Sequence, residues 1–121
     1  MLAGDTPLID AARHGRVGDV EELLAYGADV DQARKGITPL CAACYNGHTE
    51  VVTTLLAANA DVNKATNKGT NWGHQLAGKY SNKGCTPLYF ACQEGHSDVV
   101  TTLLAANADV NQADNNGYAP L

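Results

Sequence analysis

The side chains that could carry chemistry in this sequence are four cysteines and four histidines. Cys41 and Cys44 have the spacing of half a structural zinc site. The other half would have to come from Cys85 and Cys92, which are seven residues apart. Structural zinc ligands usually come in two close pairs, so the set is a poor match. His48 and His96 each follow a glycine, whereas His14 and His74 stand alone. No Ser/His/Asp or Cys/His arrangement is suggested, and no glycine-rich phosphate loop follows a strand. Glu21, Glu22, Glu50 and Asp98 read as a solvated outer face. The residues therefore point to neither catalysis nor a metal or other cofactor.

Composition narrows the classes further. The chain has 121 residues, 45% hydrophobic and 17% charged, so it suits one domain with a modest core. A net charge of −5 argues against a nucleic-acid partner, because phosphate neutralisation needs a basic face. No apolar run is long enough to span a membrane. The start, Met1-Leu2-Ala3-Gly4-Asp5, does not read as a signal peptide. Four cysteines without a signal peptide are expected to be reduced thiols, and the expected location is cytoplasmic.

The elements that hold these residues are legible from the prolines. Pro7, Pro39, Pro87 and Pro120 are each followed by leucine, at spacings of 32, 48 and 33. The longer spacing is one 33-residue period plus 15. A period near 33 means stacked repeats. Ala-Asp-Val followed by Asp or Asn recurs at 28–31, 60–63 and 108–111, and residues 51–63 are identical to residues 99–111. Thirteen identical residues indicate a recent duplication or a designed consensus.

Threonine before proline predicts a helix start at Thr6, Thr38 and Thr86. Gly15, Gly47 and Gly95 then close a short first helix. Val51, Val52, Leu55 and Leu56 have the period of a second helix, which ends at Asn59; its counterparts end at Gly27 and Asn107. Polar turns at 34–36 and 115–117 suit projecting hairpins. Cys44 and Cys92 share one repeat position with Ala12, so they read as small core residues about one repeat apart, too far for a shared metal or a disulfide. In the first repeat, Asp10 and Asp19 replace apolar residues, and the expected result is a polar outer face capping the stack.

Thr38-Pro39-Leu40, Gly47-His48, Val51-Val52, Leu55-Leu56, Ala60-Asp61-Val62-Asn63 and Gly69 together resemble an ankyrin repeat. The pattern appears three times, at about 5–36, 37–69 and 85–117, with a partial repeat at 118–121. The resemblance implies an all-α, ankyrin-type solenoid of helix-turn-helix repeats with β-hairpin loops. It implies protein binding through a concave face, without catalysis and without a cofactor. Carried over by position, the hairpin-tip residues include Arg34, Lys35, Asn67 and Lys68. Those at the end of the first helix are Arg13, His14, Tyr45, Asn46, Gln93 and Glu94. The family usually has histidine after Thr-Pro-Leu, where this chain has Ile9, Cys41 and Tyr89. That departure implies a weaker hydrogen-bond network between repeats. The resemblance also makes His48 and His96 structural, and makes Asn63 and Asn111 candidate substrates of an asparaginyl hydroxylase.

Fifteen extra residues, about 70–84, fall at a hairpin tip. They hold Trp72, His74, Lys79 and Tyr80, and residues 64–84 contain four lysines and no acid. One reading is a tolerated loop; the other is a recognition finger, since aromatic and basic residues on rigid scaffolds favour binding. The favoured function is a protein-protein interaction module. The alternative is an engineered scaffold with a grafted loop and no natural partner. The chain stops four residues into a fourth repeat, and the third repeat lacks the polar substitutions of the first. An open end of this kind is expected to fray or to self-associate through the C-terminal repeat.

Overall fold

The computed structural model describes residues 6–34, 36–65 and 85–112. Six helices follow in order: α1 (Pro7–Arg13), α2 (Val17–Ala25), α3 (Pro39–Asn46), α4 (Thr49–Ala57), α5 (Pro87–Gln93) and α6 (Ser97–Ala105). Each first helix begins as the threonine-proline pair predicts. The Thr6 hydroxyl accepts from the Ile9 N–H at 3.0 Å, Thr38 from Cys41 at 3.1 Å and Thr86 from Tyr89 at 3.2 Å. Proline at the first helical position gives up no bond, because that N–H has no partner within a helix. Left-handed residues then turn the chain: Gly15, Gly47 and Gly95 between the paired helices, and Gly27, Asn59 and Asn107 after the second.

The helix pairs stack in sequence order. Helices α1, α3 and α5 form one row and α2, α4 and α6 the other, with each helix also against its own pair. A main core of Leu40, Ala43, Val51, Val52, Leu55, Leu88, Val99, Leu103 and their equivalents fills the space between rows. A second cluster joins Ile9, Ile37, Cys41, Ala42, Cys85 and Phe90, with Tyr45 and Tyr89 against it. Ile9 and Cys41 thus stand buried where the family usually places histidine, and apolar packing holds that side of the stack.

Two expectations are corrected. The first concerns β-hairpin loops. Among the described residues there is no strand, only an antiparallel bridge in which Arg34 and Ile37 exchange both backbone hydrogen bonds at 3.0 Å. The tips at 66–69 and 113–117 lie outside the described residues.

The second correction concerns Asp10. It is 8% exposed rather than part of an open polar face. Arg16 folds over the end of α1 and pairs with both Asp10 and Asp19, contacting the latter at 3.1 Å. Asp19 remains exposed as expected. A carboxylate at the end of a stack can lie this low only when a cation covers it.

Candidate partner-binding surface

The expected binding residues of the helices stand in register. Arg13, Tyr45 and Gln93 occupy equivalent places at the ends of α1, α3 and α5, and His14, Asn46 and Glu94 follow them. The backbone at Arg13 and Tyr45 is held from the next repeat. The His48 ring contacts the Arg13 carbonyl through Nε2 at 3.0 Å, and His96 contacts the Tyr45 carbonyl at 2.9 Å. Each histidine thus ties its own repeat to the one before. His48 and His96 are also the residues preceding α4 and α6, and their side chains make no cap to those helices. Arg16 holds the same place before α2, where no earlier repeat exists, and turns to Asp10 and Asp19 instead.

Side chains along this row differ in chemistry. Tyr45 packs edge-on against Phe90, with ring centroids 5.9 Å apart. Burial raises the Tyr45 hydroxyl pKa, and the nearby Glu94 carboxylate raises it further. Asn46 donates to the Ala42 carbonyl of its own helix at 3.0 Å. Asn46 and Gln93 are exposed, and Arg13, Tyr45 and Glu94 are half-buried. Arg34 is exposed at the mouth of the Arg34–Ile37 turn. Lys35, Asn67, Lys68, Trp72, His74, Lys79 and Tyr80 lie outside the described residues, so the finger and most hairpin-tip assignments have no geometry.

A second set of contacts joins the segments after α2, α4 and α6. The Asp61 N–H donates to Asp31 Oδ1 at 2.9 Å, and the Asp109 N–H donates to Asn63 Oδ1 at 2.8 Å. Lys64 Nζ reaches the Asp31 carbonyl at 2.9 Å, and Gln112 Nε2 reaches the Asn63 carbonyl at 3.3 Å. The positions Asp31 and Asn63 are thus rungs of a ladder between repeats. Reading the sequence alone missed this use of Asn63, although its recurrence as Asp31, Asn63 and Asn111 was the available signal.

The thiols are arranged for burial. Cys41, Cys44 and Cys85 are at most 1% exposed and Cys92 is half-buried. Desolvation pushes the Cys41 thiol up to about 11 and that of Cys44 well above its ordinary value. A buried thiol of that kind is a poor nucleophile and a poor metal ligand. Among the described residues, no group of three or more His, Cys, Asp or Glu side chains could hold a metal ion. No helix among them is long and apolar enough to cross a membrane.

Residues 2–66 match a family model described as "Ankyrin repeats (3 copies)", and residues 83–115 match one described as "Ankyrin repeat". The chain belongs to the ankyrin repeat family. No curated protein matches it. Ankyrin repeats are general protein-protein interaction modules and are typically non-enzymatic. In this ankyrin chain the histidine contacts and the Asp31–Asn63 ladder supply the rigidity such a module needs, since both cross from one repeat to the next.

Proposed function

We propose that the chain is a non-enzymatic, cytoplasmic protein-binding module. It engages its partner through the concave face, the hairpin tips and the inserted finger at 70–84. One observation carries this reading: α1, α3 and α5 end at equivalent places, with a histidine fixing the backbone at α1 and α3, but present Arg13, Tyr45 and Gln93, three different chemistries. A rigid frame with varied side chains is what selective recognition requires. Four lysines without an acid over 64–84 suit an acidic or mixed partner surface.

The test is affinity capture with the full chain, with a 70–84 deletion, and with Arg34→Glu combined with Gln93→Arg. Loss of the captured protein in either variant, with unchanged melting, supports the reading. Equal capture by all three overturns it. A second reading, an engineered scaffold without a natural partner, draws on the identity of residues 51–63 and 99–111. It predicts that no protein is captured above background.

Two further assignments belong to the same reading. Asn63 and Asn111 are proposed substrates for asparaginyl hydroxylation. Asn63 is held through its side chain by the next repeat, whereas Asn111 is exposed. Co-expression with an asparaginyl hydroxylase should therefore add oxygen at Asn111 before Asn63. Peptide mass spectrometry showing neither modified counts against both. The chain is also proposed to self-associate through its third repeat.

A further inference from the structure

We propose that Asn46 is a site of spontaneous deamidation, and that His96 of the following repeat sets its rate. Asparagine followed by glycine is open to this reaction, because glycine has no Cβ to obstruct its own backbone nitrogen. That nitrogen attacks Asn46 Cγ and forms a new N–C bond. The bond from Cγ to the side-chain nitrogen breaks, and ammonia leaves with the proton of the Gly47 N–H. The product is a five-membered succinimide. Water then opens it at either carbonyl, giving aspartate or isoaspartate at position 46. Asn46–Gly47 is one of two such pairs in the sequence, and the other, Asn116–Gly117, lies outside the described residues.

The native geometry opposes closure of that ring. Asn46 is the last residue of α3, and its Nδ2 donates to the Ala42 carbonyl at 3.0 Å, which holds the amide back along the helix. The Gly47 N–H, which must lose its proton, donates to the Cys44 carbonyl at 3.3 Å. The attack therefore needs the last turn of α3 to open. A side chain of the third repeat resists that opening. His96 Nε2 donates to the Tyr45 carbonyl at 2.9 Å, one residue before Asn46. Its Nδ1 lies 2.6 Å from the place a Cβ on Gly47 would take, one residue after. The ring thus braces both chain neighbours of Asn46. His48 braces Arg13 and Gly15 in the same way, but the residue between them is His14, which has no amide to lose.

Conversion weakens the contacts that hold it back. A carboxylate at position 46 cannot donate to Ala42, and it places negative charge at the C-terminal end of α3, where the helix dipole disfavours it. Isoaspartate also inserts a CH2 into the main chain before Gly47, where the His96 ring leaves no space for another carbon. Asn46 is exposed, so water reaches the succinimide freely. The reaction therefore loosens the second repeat from the third.

The test ages the full chain, His96→Ala and Thr6→Ala at mildly alkaline pH, beside a sample of the full chain unfolded in urea. Peptide mass spectrometry with chromatographic separation of aspartate and isoaspartate gives the rate at Asn46. Conversion of Asn116 in urea shows that the conditions allow the reaction. Thr6→Ala removes the cap of α1 and leaves both His96 contacts in place, so it controls for lost stability. Circular dichroism checks that both variants stay folded. Asn46 is expected to convert at least about tenfold more slowly in the native chain than in urea, because the last turn of α3 must open first. His96→Ala should convert it severalfold faster than the parent, and Thr6→Ala should not. A native rate close to that in urea overturns protection by the fold. Equal rates in the parent and His96→Ala, or equal acceleration in Thr6→Ala, overturn the role of His96. Failure of Asn46 to convert in urea overturns the site itself.

Discussion

Gly47 and Gly95 hold the same place in successive repeats, at φ 74° and 75°. Only Gly47 also faces a neighbouring ring, that of His96, which is fixed by its bond to Tyr45. Gly95→Ala is expected to lose about 1 kcal/mol from the left-handed backbone alone. Gly47→Ala should lose clearly more, because its new methyl displaces the ring and breaks that bond. Urea titration of both variants checks the difference, and equal losses would show that His96 moves aside freely. Asp10 gives a pH prediction. The hydrogen bond from Arg16 holds its carboxyl below the ordinary value of 3.8, against the opposing effect of burial. A depressed folded pKa means the pair stabilises the fold fully above that ordinary value, and the contribution is lost as pH falls through the lower folded value. Asp10→Asn should therefore melt lower than the parent at neutral pH and converge with it in strong acid. Parallel melting curves at every pH would refute the pair's role. The thiols make a third test. Cys92 should react with a thiol reagent in the native chain, and Cys41, Cys44 and Cys85 only on unfolding. A fast phase that survives Cys92→Ser would contradict the burial described for the other three.

Helices α4 and α6 differ only at their first two residues, yet stand in unlike settings. Val52 is 0% exposed and Val100 is half-buried. Val52→Ala is expected to cost about 2 kcal/mol, since it removes fully buried methyl groups and leaves a cavity. Val100→Ala should cost less than half of that. Chemical denaturation of the two variants decides it, and equal losses would mean that α6 is covered as well as α4. The residues that precede the second helices differ in use as well as in type. His48 and His96 reach back to a carbonyl in the previous repeat, and Arg16 has none to reach. Removing either histidine side chain should cost about 1 kcal/mol for the lost bond.

Among the described residues, the main helix contacts run within a repeat and between neighbouring repeats, as in a linear stack. Helices α3 and α5 pack directly, as do α4 and α6, although residues 66–84 lie between them in the chain. Closing a longer loop costs little entropy. Deleting 70–84 is therefore expected to leave the melting temperature within a few degrees of the parent. A large drop would show the segment packed on the solenoid. For binding, Trp72→Ala should weaken the captured partner by about 1–3 kcal/mol if the finger is the hot spot, read by calorimetric titration. Unchanged affinity would remove Trp72 from the interface.

Much of the fold is encoded in local spacing and is legible without coordinates. The Thr-Pro starts, the left-handed glycines and asparagines and the 33-residue period each involve groups a few residues apart, whose geometry hardly depends on the rest of the chain. Candidate binding residues at the ends of α1 and α3 were legible for the same reason, through their place in the period. Other features depend on partners outside the local turn, six residues away for Asp10 and 30 to 51 for contacts between repeats. Burial of Asp10 needed Arg16 to fold back over the end of α1, and composition showed only a polar residue at the edge. The acceptors of His48 and His96, and the hold of Asn63 on Asp109, exist only once one repeat lies against the next. Even the contrast between Val52 and Val100 is invisible in two identical strings, because burial belongs to the neighbour that covers a side chain and not to the side chain itself.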